Sequence, residues 1–206
     1  MAIKNRYKTV KAAMRRTAIL VVVAFIAAGV SNMARAQDGF FSDTKVLAPH
    51  TYSASLQPVI YTNPDDFMMM IRGGYGIEDN FSVHAKLGAL AENTYFGAHA
   101  EYDLISEADN AVTVSSLGGL YVYHDFGIKL GAKVSKQFEF FGLYSGLNTQ
   151  AHFSDEVMIP MLIPFGVDIP LPEYQTHFIF ETNVGMNSDA SAFEMLSFGV
   201  NYYFDY

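Results

Sequence analysis

The chain has 206 residues, no cysteine and a formal net charge of −8, with half of its residues hydrophobic. That length suits a single domain with a short appendage. The absence of thiols excludes disulfides, thiol chemistry and a lipoprotein anchor. The acidic balance argues against nucleic acid as a partner, because a polyanion needs basic surface.

The charges are segregated along the chain. Residues 1–36 hold Lys4, Arg6, Lys8, Lys11, Arg15, Arg16 and Arg35 and no acidic residue. The remainder holds six basic against 21 acidic side chains, a net charge of −15. Within the leader, a basic stretch to Arg16 precedes the 14-residue apolar run Thr17 to Val30, and Ala34-Arg35-Ala36 follows. This is the order of a secretory signal with a small-x-small cleavage site before Gln37. The apolar run is short for a membrane helix, which needs about 20 residues. The expected division is therefore 1–36 signal peptide and 37–206 mature domain, with Met14 as a second candidate start.

After residue 37 no apolar run is long enough for a transmembrane helix. What recurs is period-two alternation in stretches of about ten residues, broken by Asn, Asp, Pro, Glu and Ser. Side chains in a strand alternate sides, so each stretch has an apolar and a polar face. The first, Thr51 to Tyr61, sets Tyr52, Ala54 and Leu56 against Ser53, Ser55 and Gln57, but Pro58 interrupts it and belongs at an edge or bulge. The second sets Phe67, Met69, Ile71 and Tyr75 against Met68, Met70 and Arg72. The third, after the turn Glu78-Asp79-Asn80, sets Phe81, Val83, Ala85 and Leu87 against Ser82, His84 and Lys86. The fourth sets Phe96, Ala98, Ala100 and Tyr102 against Gly97, His99, Glu101 and Asp103. The fifth, Ala111 to Tyr123, is apolar on both faces near its end.

The sixth stretch sets Phe126, Ile128, Leu130, Ala132 and Val134 against Lys129, Lys133 and Ser135. The seventh sets Phe141, Leu143 and Leu147 against Tyr144, Asn148, Gln150 and His152. Met158 to Pro164 reads as loop. An eighth strand then sets Phe165, Val167 and Ile169 against Gly166 and Asp168, and a ninth sets Phe178, Phe180, Thr182 and Val184 against Glu181 and Asn183. The tenth is Ala192 to Tyr206. If the first and the proline-rich eighth are loops, eight strands remain. The connections all read as short, and the frequent Phe and Tyr near strand ends suit aromatic girdles at membrane interfaces.

Alternation alone does not separate a soluble sheet from a membrane barrel, whose apolar face points outward to lipid and polar face inward. The last residues separate them. Phe198, Val200, Tyr202, Phe204 and Tyr206 are every second residue up to the C-terminus. This resembles the C-terminal assembly signal of small bacterial outer-membrane β-barrel proteins, and the resemblance covers Gln37 to Tyr206. It implies an all-β fold, a single antiparallel up-and-down transmembrane barrel of ten strands, alternatively eight. It also implies an outer-membrane location, contact with outer-membrane lipid and lipopolysaccharide, and recognition of the last strand by the barrel-assembly machinery. The absence of Trp departs from the usual aromatic belt.

The polar faces carry an expected lumen charge network of Arg72, Lys86, Glu101, Lys129, Lys133, Asp168 and Glu181. A small barrel is filled by its own side chains, and buried charges are tolerated when paired. The preferred reading is a structural or passively permeable barrel whose lumen is largely plugged by these pairs. The alternative is a narrow porin-like channel for small solutes. A lipid-modifying enzyme built from His84, His99 or His152 with Glu101, Asp103 and Ser115 is disfavoured, because a lipid-acting site must open outward and these residues point inward. No pair of these histidines has a metal-ligand spacing, and the expected set of catalytic, cofactor and metal residues is empty.

Overall fold

A computed structural model describes residues 44–62, 65–89, 94–108, 110–123, 125–153 and 157–205. The expected signal peptide, its cleavage point and Tyr206 lie outside these residues.

The strands follow one another in chain order: β1 (Thr51–Thr62), β2 (Asp65–Glu78), β3 (Phe81–Ala89), β4 (Thr94–Ile105), β5 (Thr113–Tyr123), β6 (Asp125–Gln137), β7 (Gly142–Phe153), the two-residue β8 (Val157–Met158), β9 (Met161–Leu171), β10 (Thr176–Gly185) and β11 (Met195–Asp205). Each long strand pairs antiparallel with the next, β7 pairs with β9 past the short β8, and β1 pairs with β11. The ten long strands therefore close into an up-and-down barrel. Closure satisfies the backbone N–H and C=O groups without leaving an edge, as a lipid environment demands.

The two faces are inverted relative to a soluble sheet. Phe67, Ile71, Leu87, Phe96, Leu120, Leu130 and Phe165 are about half exposed, whereas Arg72, Lys86, Glu101, Lys133, Asp168 and Glu181 are almost fully buried. Along β2 the exposed apolar residues run from Phe67 to Ile77. At about 3.3 Å per residue and a tilt of about 40°, that stretch rises about 25 Å, the height of a membrane barrel's apolar band. Tyr52, Tyr75, Tyr202 and Phe204 pack together along the outside at the end where β1 begins and β11 ends, with centroids 4.8–5.9 Å apart, and Phe126 stacks on Phe153 at the opposite end.

Several elements differ from the sequence reading. Pro58 lies inside β1, not at an edge. β1 keeps its full ladder to β2, and only its pairing with β11 skips Gln57 and Pro58. The missing N–H of proline thus interrupts one ladder and spares the other. β9 starts at Met161, so Met161 to Pro164 is strand; Leu162 and Pro164 alternate inward with Gly166 and Asp168. Residues 192–194 are not strand. The connection over residues 186–194 contains a 3-10 helix, Ser188–Phe193, that buries Ala190 and Phe193, so this loop is neither short nor external.

Aromatic residues also depart from the girdle expectation. Tyr61, Tyr95, Tyr121 and Tyr144 point into the barrel and are buried. At the mouth away from the termini, Tyr61, Tyr95 and Tyr121 join Val59, Met68, Met70 and Met195 in an apolar cluster. Phe193 and Ala190 pack beside it against Leu162.

Candidate functional site: the barrel lumen

The interior is layered, and each layer follows from strand register. In the middle, β4 and β6 aim Glu101 and Lys133 inward, where they meet over the intervening β5. Their carboxylate and ammonium form a close ion pair with both side chains sealed from solvent. The Lys133 ammonium also lies 5.9 Å from the Tyr144 ring centroid, and the Tyr144 hydroxyl donates to Glu181 at 2.7 Å. Arg72, Lys86 and Lys129 are buried in the same interior.

On β3, His84 receives hydrogen bonds from the Arg72 guanidinium on Nδ1, at 2.8 Å from Nη2 and 3.3 Å from Nε. A guanidinium only donates, so Nδ1 is the acceptor and the proton resides on Nε2. Nε2–H then points at the Ser82 hydroxyl oxygen, 2.9 Å away. A serine nucleophile needs the reverse, a histidine nitrogen that accepts the hydroxyl proton. Ser82 and His84 therefore do not form an activated pair.

The other hydrolytic candidates are kept apart. Ser115 donates to Asp103 at 2.6 Å and not to a histidine. His152 stacks on Phe193, centroids 5.0 Å apart, in the apolar mouth. His99 stacks on His84 at 4.9 Å.

His84, His99 and Glu101 bring potential metal-ligand atoms within 4.8 Å of one another, a proximity that sequence spacing concealed because cross-strand pairing of His84 with His99 creates it. The chemistry does not fit a cation. Both His84 nitrogens are engaged by Arg72 and Ser82, Glu101 is held by Lys133, and the surroundings are already basic.

Toward the terminal mouth, Asp168 meets His177 Nδ1 at 2.7 Å and accepts from the Thr44 backbone N–H at 3.4 Å. As a member of the expected lumen charge network, Asp168 calls for a counter-charge among Arg72, Lys86, Lys129 and Lys133. Its partners are instead a neighbouring-strand histidine and the segment preceding β1.

That segment, residues 44–50, was not anticipated as part of the interior. Thr44 and Leu47 are buried. The Thr44 hydroxyl donates to Gln137 at 2.7 Å, its carbonyl accepts from Ser135, and the Val46 N–H points to Asp103 at 3.5 Å. The His50 N–H donates to the Gly76 carbonyl at 2.9 Å. Gly76 has to be glycine here, because a Cβ would overlap the Ala48 carbonyl. The segment enters β1 through His50, whose φ of 61° is the left-handed conformation. No hydrophobic periodicity marks it: Thr44-Lys45-Val46-Leu47-Ala48-Pro49-His50 carries neither a two-residue nor a helical apolar repeat.

One side of the lumen is different in kind. Ser55 and Gln57 on β1, Ser197 on β11, Asn183 on β10 and Asn148 on β7 are buried, with side-chain polar atoms that have no protein partner among the described residues. Such atoms are normally satisfied by ordered water.

A closed antiparallel barrel with an apolar exterior and a polar, charged interior defines a small outer-membrane β-barrel protein. Among solved structures the fold is similar to that of KdgM porin, with a TM-score of 0.50 and 8% identity, covering 73% of this chain and 98% of that one. At that identity the likeness is one of fold. No protein-family model matches the sequence, and no curated protein matches it.

Proposed function

We propose that this protein is a non-enzymatic barrel of the outer membrane, structural or passively permeable in role, whose lumen is largely closed by its own paired charges and packed side chains. The carrying observation is the Lys133–Glu101 ion pair, held at negligible exposure in the middle of the barrel. A buried charge pair persists where water is scarce. The apolar mouth around Tyr61, Tyr95 and Tyr121 supports the same reading. The C-terminal alternation supports delivery by the barrel-assembly machinery, and the apolar exterior supports contact with outer-membrane lipid and lipopolysaccharide.

Planar-bilayer recording on the folded protein tests the closed lumen. The expected conductance is near background; steady ohmic conductance overturns the reading. The competing reading is a narrow porin-like channel. It draws on the fold shared with KdgM porin, and one local observation favours it: the polar stripe from Gln57 through Ser197 and Asn183 to Asn148 has hydrogen-bonding capacity for a thread of water. Lipid A compared by mass spectrometry with and without the protein tests the absence of enzymatic action. The expected result is no change in the acyl pattern.

A further inference from the structure

Residues 44–50 share no ladder with the barrel wall, yet they bond to strands all round its terminal mouth. Thr44 is held by Asp168 of β9 and by Ser135 and Gln137 of β6. Val46 is directed to Asp103 of β4, and His50 is held by Gly76 of β2. These anchors lie on strands that are not neighbours in the sheet, so the segment must cross the opening to reach them. Leu47 is the one large apolar side chain of the segment, and it is buried against the wall at Gly74.

From this geometry we infer that residues 44–50 are a strap that stoppers the terminal mouth of the barrel and controls access to the lumen from that side. The inference rests on the closed-lumen reading for its purpose, but the strap itself is defined by its own contacts.

Three features mark the strap as a separable part. Its attachments are isolated hydrogen bonds to side chains or carbonyls, each modest in its net contribution to stability. The wall is shaped to receive it, with Gly76 and Gly142 leaving room where a Cβ would overlap Ala48 and Thr44. Its junction with β1 is the left-handed His50, a conformation that costs a non-glycine residue energy and favours relaxation if the anchors let go.

The chain has no cysteine, which permits a direct test. Ser53 faces inward on β1 and is buried, its hydroxyl and the Leu47 side chain both crowd Gly74, and that hydroxyl has no hydrogen-bond partner among the described residues. Ser53→Cys therefore removes no hydrogen bond. Folded full-length protein carrying Ser53→Cys is treated with a small water-soluble methanethiosulfonate, and the labelling rate is compared with that of the same protein also carrying Gly76→Ala. The added methyl meets the strap backbone first, since the nearest atoms to that Cβ all belong to Leu47 and Ala48. Labelling is expected to accelerate at least tenfold, while Ser106→Cys on the exposed β4–β5 loop labels at the same rate in both backgrounds. Equal rates at Ser53 with and without Gly76→Ala overturn the strap. Heat-modifiable migration confirms folding, and if Gly76→Ala does not fold, Leu47→Asp displaces the same segment by burying a charge. Conductance of the unaltered chain is measured separately. Steady current there defeats the closed lumen, whereas unchanged labelling in a non-conducting barrel defeats the strap alone.

Discussion

Lys133 of β6 and Glu101 of β4 are joined on the inner face of the barrel although β5 separates their strands in the wall. The pair braces the sheet from within. Removing one partner strands the other charge in a dry interior, at about 3–5 kcal/mol. Lys133→Met and Glu101→Gln are each expected to lower the urea midpoint of the barrel in lipid vesicles. The double variant should recover much of the loss, because it leaves no orphan charge. Single variants as stable as the wild type would show that water reaches the pair freely.

The Arg72–His84–Ser82 chain makes a prediction about protons. Arg72 fixes His84 as the Nε2–H tautomer. Nitrogen-15 shifts of His84 in the folded barrel should show an unprotonated Nδ1. Arg72→Ala removes the donor and exposes a buried acceptor, so it should reduce the unfolding midpoint while conductance stays near background. An open channel predicts little loss of stability and a change in ion selectivity instead.

Phe193 closes the mouth opposite the strap. It is fully buried, stacks on His152 and packs on Leu162. Phe193→Ala should cost about 3–5 kcal/mol. The damage should localise to residues 186–194, read as faster proteolysis of that connection in barrels whose strands remain intact. Uniform resistance to protease would mean that the 3-10 helix does not depend on its aromatic anchor.

The last strand carries the assembly prediction. Phe204 faces outward and stacks on Tyr52 and Tyr202. Replacing Tyr206 and Phe204 with Asp should block insertion and leave the protein aggregated in the periplasm. Normal heat-modifiable folding of that variant would remove the C-terminal alternation from consideration as a signal.

The readable parts of the sequence were those where one physical rule acts alone. Through the middle of β2, β3, β4 and β6 the outward side chains are apolar and the inward ones charged, polar or glycine, so period two placed Arg72, Lys86, Glu101, Lys129 and Lys133 on the polar faces that the structure buries. Where inward residues are apolar the rule loses contrast. Tyr61, Tyr95 and Tyr121 are chemically indistinguishable from girdle residues, and only the register shows that they fill the mouth. Met161 to Pro164 failed for a similar reason, with apolar residues on both faces and a proline that suggested a loop. The strap and the 3-10 helix were invisible because their burial comes from tertiary contacts with no local period. The meeting of His84 with His99 required knowing which strands are neighbours and in what register.

A circular wall has one joint that chain connectivity does not make, and here it is β1 against β11. Every other junction between neighbouring long strands is tied by a turn or a local connection, so its partners are held close from the start. This one must find its mate across the whole span from Thr51 to Asp205, and proline at position 58 divides the joint into two fastenings. Below the gap, Thr51 to Leu56 join Val200 to Asp205, with Tyr52 stacked on Phe204 outside. Above it, Val59 to Tyr61 join Met195 to Ser197. The lower fastening is the longer and carries the aromatic clasp, so the ring is secured chiefly at the end where the chain terminates. The shorter upper fastening is where the circle parts most readily.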